Sequence, residues 1–278
     1  MQRLTRLIDG CWDHGSRLAP ARNRITPQVM THISSHWEYY LRKGGGFERL
    51  ARNPHLIQKV LTKVERWSYA SSRLRNLETF SELESRMLDL LKRLHAEPNF
   101  LSFRTTCAAA IFTQRWQRKP DRLLVIGDGQ GLMGAFMKWM FSEIEVISVD
   151  LAPMLDIQKE LYRQAGLSGR FVEPALLETI QQTDCAFNMA SMQEMPHAEI
   201  IRYFAFLRSS TALFYCVNRQ EKRLIGGEVL RFNEYPWSEK DVIWIDEPCW
   251  FYTHFFSHRP PFLHQFDGPM WHRLALLR

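Results

Sequence analysis

Apolar and polar residues follow two different periods along this chain, and the period changes near residue 120. Before that point, apolar side chains recur every three or four residues, the spacing of helices that bury one face. One helix is predicted over 28–42, and a second follows Asn53-Pro54, an N-cap with a first-turn proline. A third runs from the capping box at 81–84 to Pro98, and a fourth spans 105–118. The first part of the chain is therefore predicted to be helical.

From residue 120 onwards, short apolar runs of strand length alternate with helical stretches. Strands are predicted at 122–126, 144–149, 170–173, 185–190 and 211–217, and helices at 131–141, 154–165 and 198–207. Strands spaced by such helices are typical of βαβ units, and so of a parallel sheet with helices on both faces. The segments 242–245 and 273–277 are predicted to close the sheet as an antiparallel pair. Ligands of such folds bind outside the carboxyl ends of the strands, which is where we look for chemistry.

The composition is that of a globular protein and excludes several other classes. Of the 278 residues, 45% are hydrophobic and 24% charged, which excludes disorder, collagen and coiled coil for the whole chain. The five cysteines are odd in number and form no CxxC pair, so neither a zinc ribbon nor a disulfide framework is indicated. No apolar run is long enough to cross a bilayer, and the first residues lack a secretory signal. We expect a reduced, soluble, cytoplasmic protein.

Charge is distributed unevenly between the two parts of the chain. Residues 1–120 carry 21 basic and 10 acidic residues, a net charge of +11, whereas residues 121–278 carry 15 and 20, a net charge of −5. A basic region can face nucleic acid or another anionic partner. These charges are interleaved with acids, however, and we favour their assignment to solvated helix faces. A nucleic-acid partner is therefore not the leading hypothesis.

A glycine segment follows the first predicted strand, and an acid ends the second. Gly127, Asp128, Gly129 and Gly131 would let the chain turn sharply and let a ligand approach the backbone. Asp150 lies 19 residues beyond Gly131, where its carboxylate can accept hydrogen bonds from the two hydroxyls of a ribose. The pairing predicts a nucleoside cofactor. It does not name the cofactor, because the segment also satisfies the G-x-G-x-x-G pattern of dinucleotide-binding proteins.

Later segments favour one class of cofactor by resemblance. Residues 125–131 with 149–150 look like the first two motifs of class I S-adenosylmethionine-dependent methyltransferases. Segments 188–195, 214–219 and 234–237 resemble the sugar O-methyltransferase family of bacterial surface-polysaccharide and natural-product genes. From about residue 120 to the C-terminus, the resemblance implies a Rossmann-like α/β sheet, mostly parallel with an antiparallel last strand. It also implies S-adenosylmethionine as cofactor and a sugar hydroxyl, in a glycan, nucleotide sugar or glycosylated natural product, as acceptor.

This resemblance implies two regions. Residues 120–278 would form the cofactor-binding domain, and residues 1–119 a helical region that covers part of the cleft as a lid. The expected partner is a small-molecule or glycan substrate. The oligomeric state is not predicted.

Candidate catalytic residues follow the fourth predicted strand. A neutral sugar hydroxyl is a poor nucleophile, and a positioned base accelerates its reaction typically ~100- to 10,000-fold. Glu194 and His197 could each take the proton. Alternatively, Glu194 caps the helix that starts near Pro196, since acids favour helix N-termini, and His197 is a surface residue of its first turn. Ser191, in the same segment, is assigned to the cofactor.

Candidate substrate-binding residues follow the fifth strand. Asn218 and Arg219 stand at its end, and Arg219 could hold a phosphate or carboxylate bidentately, as a nucleotide-linked sugar requires, or could pair with a nearby acid. Tyr235 and Trp237 could present flat faces to a sugar ring. His254 is followed four residues later by another histidine, but no third ligand is evident, so no metal is assigned.

Three alternative functions stay open. An NAD-dependent oxidoreductase or epimerase would use the same glycine loop, although Tyr39 and Lys43, the only Tyr-x-x-x-Lys pair, lie far upstream of it. An RNA methyltransferase is motivated only by the basic N-terminal region. A methyltransferase-like protein that binds a partner without chemistry would have no need for the glycine segment and Asp150.

Overall fold

A computed structural model describes residues 73–116, 119–210, 212–224, 227–256, 263–265 and 268–278, with scattered helical residues between 56 and 66. The helix predicted over 28–42 lies outside these residues, and the helix predicted behind Asn53-Pro54 is described only in part. The helices are α1 (Phe80–Arg93), α2 (Phe100–Thr113), α3 (Leu132–Met140), α4 (Ala152–Ala165) and α5 (His197–Ser209). The strands are β1 (Arg122–Ile126), β2 (Glu145–Val149), β3 (Arg170–Val172), β4 (Cys185–Met189), β5 (Leu213–Arg219), β6 (Glu221–Arg223), β7 (Val229–Arg231), β8 (Val242–Pro248), β9 (His254–Phe256), β10 (Leu263–Gln265) and β11 (Met270–Leu276).

Seven of these strands form one sheet in the order β3-β2-β1-β4-β5-β11-β8. β1 to β5 pair in parallel, whereas β11, the last strand, runs antiparallel to β5 on one side and β8 on the other. The strands β6–β7 and β9–β10 form two separate antiparallel pairs. The predicted α/β class, a mostly parallel sheet with an antiparallel last strand, is confirmed.

Helices cover both faces of the sheet, which explains why the parallel strands are largely apolar. Leu123 and Val125 of β1 face the core that contains α1 to α3 and the end of α4, and Leu124 and Ile126 face the core that contains α5. All four side chains are fully or almost fully buried. Because side chains alternate along a strand, β1 contributes to the cores on both faces of the sheet.

The starts of α1 and α2 differ from the prediction. α1 begins at Phe80, without a side-chain cap, so Ser81 lies inside the helix and does not begin a capping box. The capping box instead precedes α2, where the Asn99 side chain accepts a hydrogen bond from Ser102 N at 3.1 Å and Ser102 Oγ accepts from Asn99 N at 2.9 Å. Because this pair satisfies two amides that a helix start leaves free, α2 begins five residues before the predicted position.

α1 and α2 belong to the same core as the sheet. The Phe112 ring of α2 stacks on Tyr215 of β5, with the ring centroids 6.2 Å apart, and meets Phe187 of β4 edge-on at 5.7 Å. The predicted boundary between residues 119 and 120 therefore does not separate two cores over residues 80–113. A lid role for residues 1–119 stays a prediction. Within the described ranges, no helix has the length and apolarity needed to cross a bilayer.

Candidate functional site

The glycine segment lies at the point where the strand order reverses. The chain runs from β1 outwards to β2 and β3 and then crosses to β4 on the other side of β1, so the loops after β1 and β4 diverge at the carboxyl edge. Open α/β sheets bind ligands in such a crevice. The two loops touch, since a Cβ atom at Gly127 would fall 2.1 Å from Ser191 Oγ. Ser191 Oγ donates to the Ile126 carbonyl at 3.0 Å and so ties the loops together. Its predicted contact with a cofactor stays a prediction.

Two glycines of the loop are required by conformation and by space. Gly127 and Gly131 have φ values of +65° and +88°, in the left-handed region that residues with a Cβ atom rarely adopt. Gly131 is also the N-cap of α3, and a Cβ atom there would fall 2.9 Å from Cγ of Gln158. The loop after β1 therefore contacts the loop after β4 on one side and α4 on the other.

The predicted ribose acid and the glycine loop are in direct contact. Asp150 Oδ2 accepts hydrogen bonds from Gly129 N at 2.9 Å and from Gln158 Nε2 at 2.9 Å, and Asp150 Oδ1 accepts from Leu151 N at 2.8 Å. Burial raises the pKa of Asp150 to about 6, although these hydrogen bonds act to lower it. The pairing expected from the sequence is thus present as one hydrogen-bonded unit.

Asp128 is turned away from the crevice and into the first turn of α3. Its carboxylate accepts hydrogen bonds from Met133 N at 3.1 Å and Gly134 N at 2.7 Å. Burial, opposed by these two bonds and aided by the neighbouring Asp150 charge, raises the pKa of Asp128 to about 7. The amides that start a helix have no partner within it, and here Asp128 satisfies two of them. The Asp128 side chain therefore shapes the loop, and the predicted contact of this residue with a cofactor stays a prediction.

A buried amide network joins the carboxyl ends of β4 and β5. Asn188 Nδ2 donates to the Ile126 carbonyl at 2.8 Å, and Asn218 Nδ2 donates to Asn188 Oδ1 at 2.7 Å. Gln193 N donates to Asn218 Oδ1 at 3.0 Å, and Arg219 N donates to Gln193 Oε1 at 2.7 Å. Asn218 is 0% exposed, so its side chain is a structural link and not the substrate contact that the sequence predicted.

The two candidate bases lie beside this network. Glu194 ends the 3₁₀ turn Met192–Glu194, and its Oε1 lies 3.2 Å from Nζ of Lys222 on β6. The two side chains are 20% and 24% exposed. His197 is the first residue of α5, and its backbone N donates to Glu228 Oε1 at 3.3 Å. It is therefore Glu228, and not Glu194, that bonds the start of α5.

Tyr235 is buried in the core on the α5 face, and the partly buried Trp237 packs against the same core. Tyr235 is 4% exposed and meets Phe204 and Phe232, with ring centroids 6.3 and 5.4 Å apart. The Trp237 ring packs edge-on against Phe204 at 4.8 Å, and its Nε1 donates to the Phe232 carbonyl at 2.9 Å. The expectation that they stack on a sugar is thus corrected, because burying large aromatic rings against one another is the stronger effect.

Two arginines, Arg104 and Arg219, act on Tyr252. The Arg104 guanidinium lies 4.6 Å from the Tyr252 ring centroid and donates to the His254 carbonyl. Burial raises the pKa of Tyr252, and the charges of Arg104 and Arg219 oppose that rise. The pKa of His254 is lowered by burial and by Arg104. The second predicted histidine, His258, lies outside the described residues, among which no three His, Cys, Asp or Glu side chains could hold a metal.

Gln158 is a site residue that the sequence analysis missed. It lies on the buried face of α4, is 0% exposed, and donates both to Asp150 Oδ2 and to the Gly129 carbonyl at 3.1 Å. The signal was available, because Gln158 stands four residues from each of two apolar neighbours, Met154 and Tyr162, within the predicted helix. A polar residue inside an apolar stripe needs a buried partner.

Comparison with solved structures finds similar folds among methyltransferases. TehB from Haemophilus influenzae gives a TM-score of 0.47 at 9% identity over 62% of this chain and 61% of TehB, so the match spans less than two thirds of that protein. Mitomycin 7-O-methyltransferase MmcR gives 0.46 at 13% identity over 90% of this chain and 65% of MmcR. A TehB-like S-adenosylmethionine-dependent methyltransferase from Corynebacterium glutamicum gives 0.42 at 13% identity over 62% and 88%. No family model and no curated protein matches the sequence. At these identities, the likeness concerns the fold alone.

Proposed function

We propose that this protein is an S-adenosylmethionine-dependent O-methyltransferase that acts on a sugar hydroxyl. The observation that carries the proposal is the hydrogen bond between Gly129 N and Asp150 Oδ2 at 2.9 Å, located where the strand order reverses. It joins a glycine loop, which allows close approach of a ligand, to an acid that can accept from a ribose. A nucleoside cofactor needs both features at one place.

The residues of the crevice fit this cofactor. Gly127 and Gly131 let the loop lie directly against Ser191 and Gln158, and among the described residues Asp150 Oδ1 accepts one hydrogen bond, from Leu151 N. A carboxylate oxygen accepts about two, so Oδ1 can take a ribose hydroxyl. S-adenosylmethionine would supply an activated methyl group on its sulfonium. The protein would then have to align the acceptor and exclude water.

The sheet favours this cofactor over a nicotinamide dinucleotide. Dinucleotide-binding folds combine two parallel halves in the order 3-2-1-4-5-6. In this chain, the position beside β5 is taken by the antiparallel β11, so a second parallel three-stranded half is absent from the described sheet. The antiparallel last strand is also what the resemblance to class I methyltransferases implies.

We assign the role of general base to Glu194, which would take the proton of the acceptor hydroxyl. It follows β4 at the carboxyl edge, and its partly exposed carboxylate is held by Lys222 at 3.2 Å. His197, three residues further on, is the alternative base. Arg219, at the end of β5, would bind an anionic group of the acceptor, such as the phosphate of a nucleotide sugar. The charges of Arg104 and Arg219 both act on Tyr252, which supports an acceptor that carries negative charge.

Calorimetric titration with S-adenosylmethionine, S-adenosylhomocysteine and NAD tests the cofactor. We expect S-adenosylhomocysteine to bind with a micromolar Kd, about −7 to −8 kcal/mol, and NAD not to bind. Binding of NAD alone would overturn the proposal in favour of an oxidoreductase. Asp150→Ala should weaken the binding of S-adenosylhomocysteine by about 1.5–3 kcal/mol, because a charge-assisted hydrogen bond to the ribose is lost.

Release of S-adenosylhomocysteine over a panel of nucleotide sugars and glycans tests the acceptor. Turnover with a member of the panel would support the sugar assignment. Cofactor binding with no turnover on any member would refute it, and tight, salt-sensitive binding of RNA would point to an RNA substrate.

A further inference from the structure

Gln158 connects three parts of the candidate cofactor site. Its Nε2 atom donates to Asp150 Oδ2 at 2.9 Å and to the Gly129 carbonyl at 3.1 Å, and its Cγ would lie 2.9 Å from a Cβ atom at Gly131. One side chain from α4 therefore touches the loop after β1 and the acid after β2. No other described side chain donates to both.

The orientation of this amide follows from its partners. Both groups within reach of Nε2, a carboxylate and a carbonyl, can only accept hydrogen bonds, so the nitrogen must face them. The other amide atom, Oε1, is buried and has no hydrogen-bond partner among the described residues. Burying an unsatisfied oxygen costs stability, which an apolar side chain of the same size would avoid. The contribution of Gln158 therefore comes from its donor nitrogen.

The hydrogen bonds on Asp150 leave the two carboxylate oxygens unequal. Oδ2 accepts from Gly129 N and from Gln158 Nε2, which fills its two lone-pair directions. Among the described residues, Oδ1 accepts from Leu151 N alone. Rotation of the carboxylate would break both bonds on Oδ2. The arrangement thus holds Oδ1 in one position, with one lone pair free to accept.

We propose that Gln158 is a positioning residue for the cofactor, which locks Asp150 to the glycine loop so that Oδ1 is presented to a ribose hydroxyl. The inference rests on the proposed function, because it assumes that Asp150 binds ribose. It predicts that removing the donor weakens cofactor binding without removing any atom that touches the cofactor. It also predicts a change in how binding depends on pH, since the bond from Gln158 favours the ionised form of Asp150.

The experiment is a calorimetric titration of S-adenosylhomocysteine from pH 5 to pH 8.5. For the wild type, burial raises the pKa of Asp150 to about 6, so affinity should fall about tenfold per pH unit below pH 6. It should be close to constant from about pH 8 upwards, above the pKa of about 7 to which burial raises the neighbouring Asp128. Gln158→Met keeps the size of the side chain and removes the donor. We expect its affinity at pH 8 to fall about tenfold and the midpoint of its pH profile to move upwards.

Gln164→Met is the matched control. Gln164 lies on the same helix, and its amide donates to Glu160 at 2.7 Å, away from the loop. Its affinity and pH midpoint should equal those of the wild type. Gln158→Glu, of nearly the same shape, places a second carboxyl group against Asp150, and their repulsion raises the pKa of the pair. When both groups are ionised, the introduced carboxylate has no proton to donate and repels Asp150, so affinity should be low at pH 8 and recover as the pH falls and one proton returns to the pair, a trend opposite to that of the wild type.

The outcomes separate this inference from the proposed function. If the wild type does not bind S-adenosylhomocysteine, the proposed cofactor is wrong. If the wild type binds and Gln158→Met keeps both its affinity and its pH midpoint, Gln158 does not position Asp150. A purely packing role would lower the stability of Gln158→Met but leave the midpoint unchanged. If that variant does not fold, Gln158→Glu decides, and an unchanged pH trend in it would overturn the inference.

Discussion

Replacing Asp128 with asparagine should change how the free energy of unfolding depends on pH. Burial raises the pKa of Asp128 from 3.8 to about 7. A group whose pKa is raised in the folded state binds its proton more tightly there, so it stabilises the fold fully below pH 3.8. That contribution is lost as the pH rises towards 7. The two values differ by about three pH units at about 1.36 kcal/mol each, so the total is about 4 kcal/mol.

Urea unfolding of the wild type and Asp128→Asn at a series of pH values measures this effect. We subtract the free energy of unfolding of the variant from that of the wild type, so that all other titrating groups cancel. The difference should fall by up to about 4 kcal/mol between pH 4 and pH 7 and stay constant above pH 7. Asp156→Asn is the control for the substitution itself, because it makes the same change at a side chain that is 66% exposed.

One result would refute the physical reasoning. The amides of Met133 and Gly134 bond the Asp128 carboxylate at the start of α3, where the helix dipole also favours negative charge. If these effects outweighed burial, the pKa of Asp128 would lie below 3.8. The difference would then rise with pH below about pH 4 and remain flat up to pH 8.

Three further predictions concern stability and catalysis. Arg208→Met should lower the free energy of unfolding by about 3–5 kcal/mol, because it removes the bidentate partner of Asp241, whose side chain is 0% exposed. Arg231→Met, which removes exposed ion pairs with Glu221 and Glu234, should cost much less, and equal losses in urea unfolding would contradict this. Burial lowers the pKa of His272 to about 4. As the pH falls from 6.5 to 4, the free energy of unfolding of the wild type should therefore fall by up to about 3 kcal/mol relative to that of His272→Gln. Parallel pH curves for the two proteins would show that His272 is not buried in its neutral form. Glu194→Gln should lower kcat about 100-fold or more, ~2.7 kcal/mol in the barrier, with the Kd for S-adenosylhomocysteine within a few-fold; an unchanged kcat would move the base to His197.

The predicted elements from β1 to α5 agree with the structure to within about two residues, whereas the predicted start of α2 was wrong. β1 and β2 are apolar runs with both faces buried, and their side chains make the element evident without knowledge of the partner. The start of α2 depended on which of two similar polar patterns forms a capping box. Asn99 does so, whereas Ser81 lies inside α1, which begins at Phe80. The four short strands of the two hairpins were not predicted, since three residues carry little periodicity.

The sequence by itself determined the backbone of the site. The positive φ values at Gly127 and Gly131 favour glycine, and this preference belongs to one short segment. The position of Asp150 at the end of the next strand is set within one βαβ unit. Such features need no knowledge of distant contacts.

Only the tertiary structure decided which side chains face the crevice. Asn218, Tyr235 and Trp237 look like ligand contacts in the sequence. In the structure, Asn218 belongs to a buried amide network, and Tyr235 and Trp237 pack against Phe204 of α5. Gln158 looks like an ordinary helix residue, yet it bonds the acid and the loop. The physical reason is that a side chain's environment is set by elements distant in the chain. A polar group becomes a structural link or a binding group according to whether packing leaves it a partner or leaves it open to a ligand.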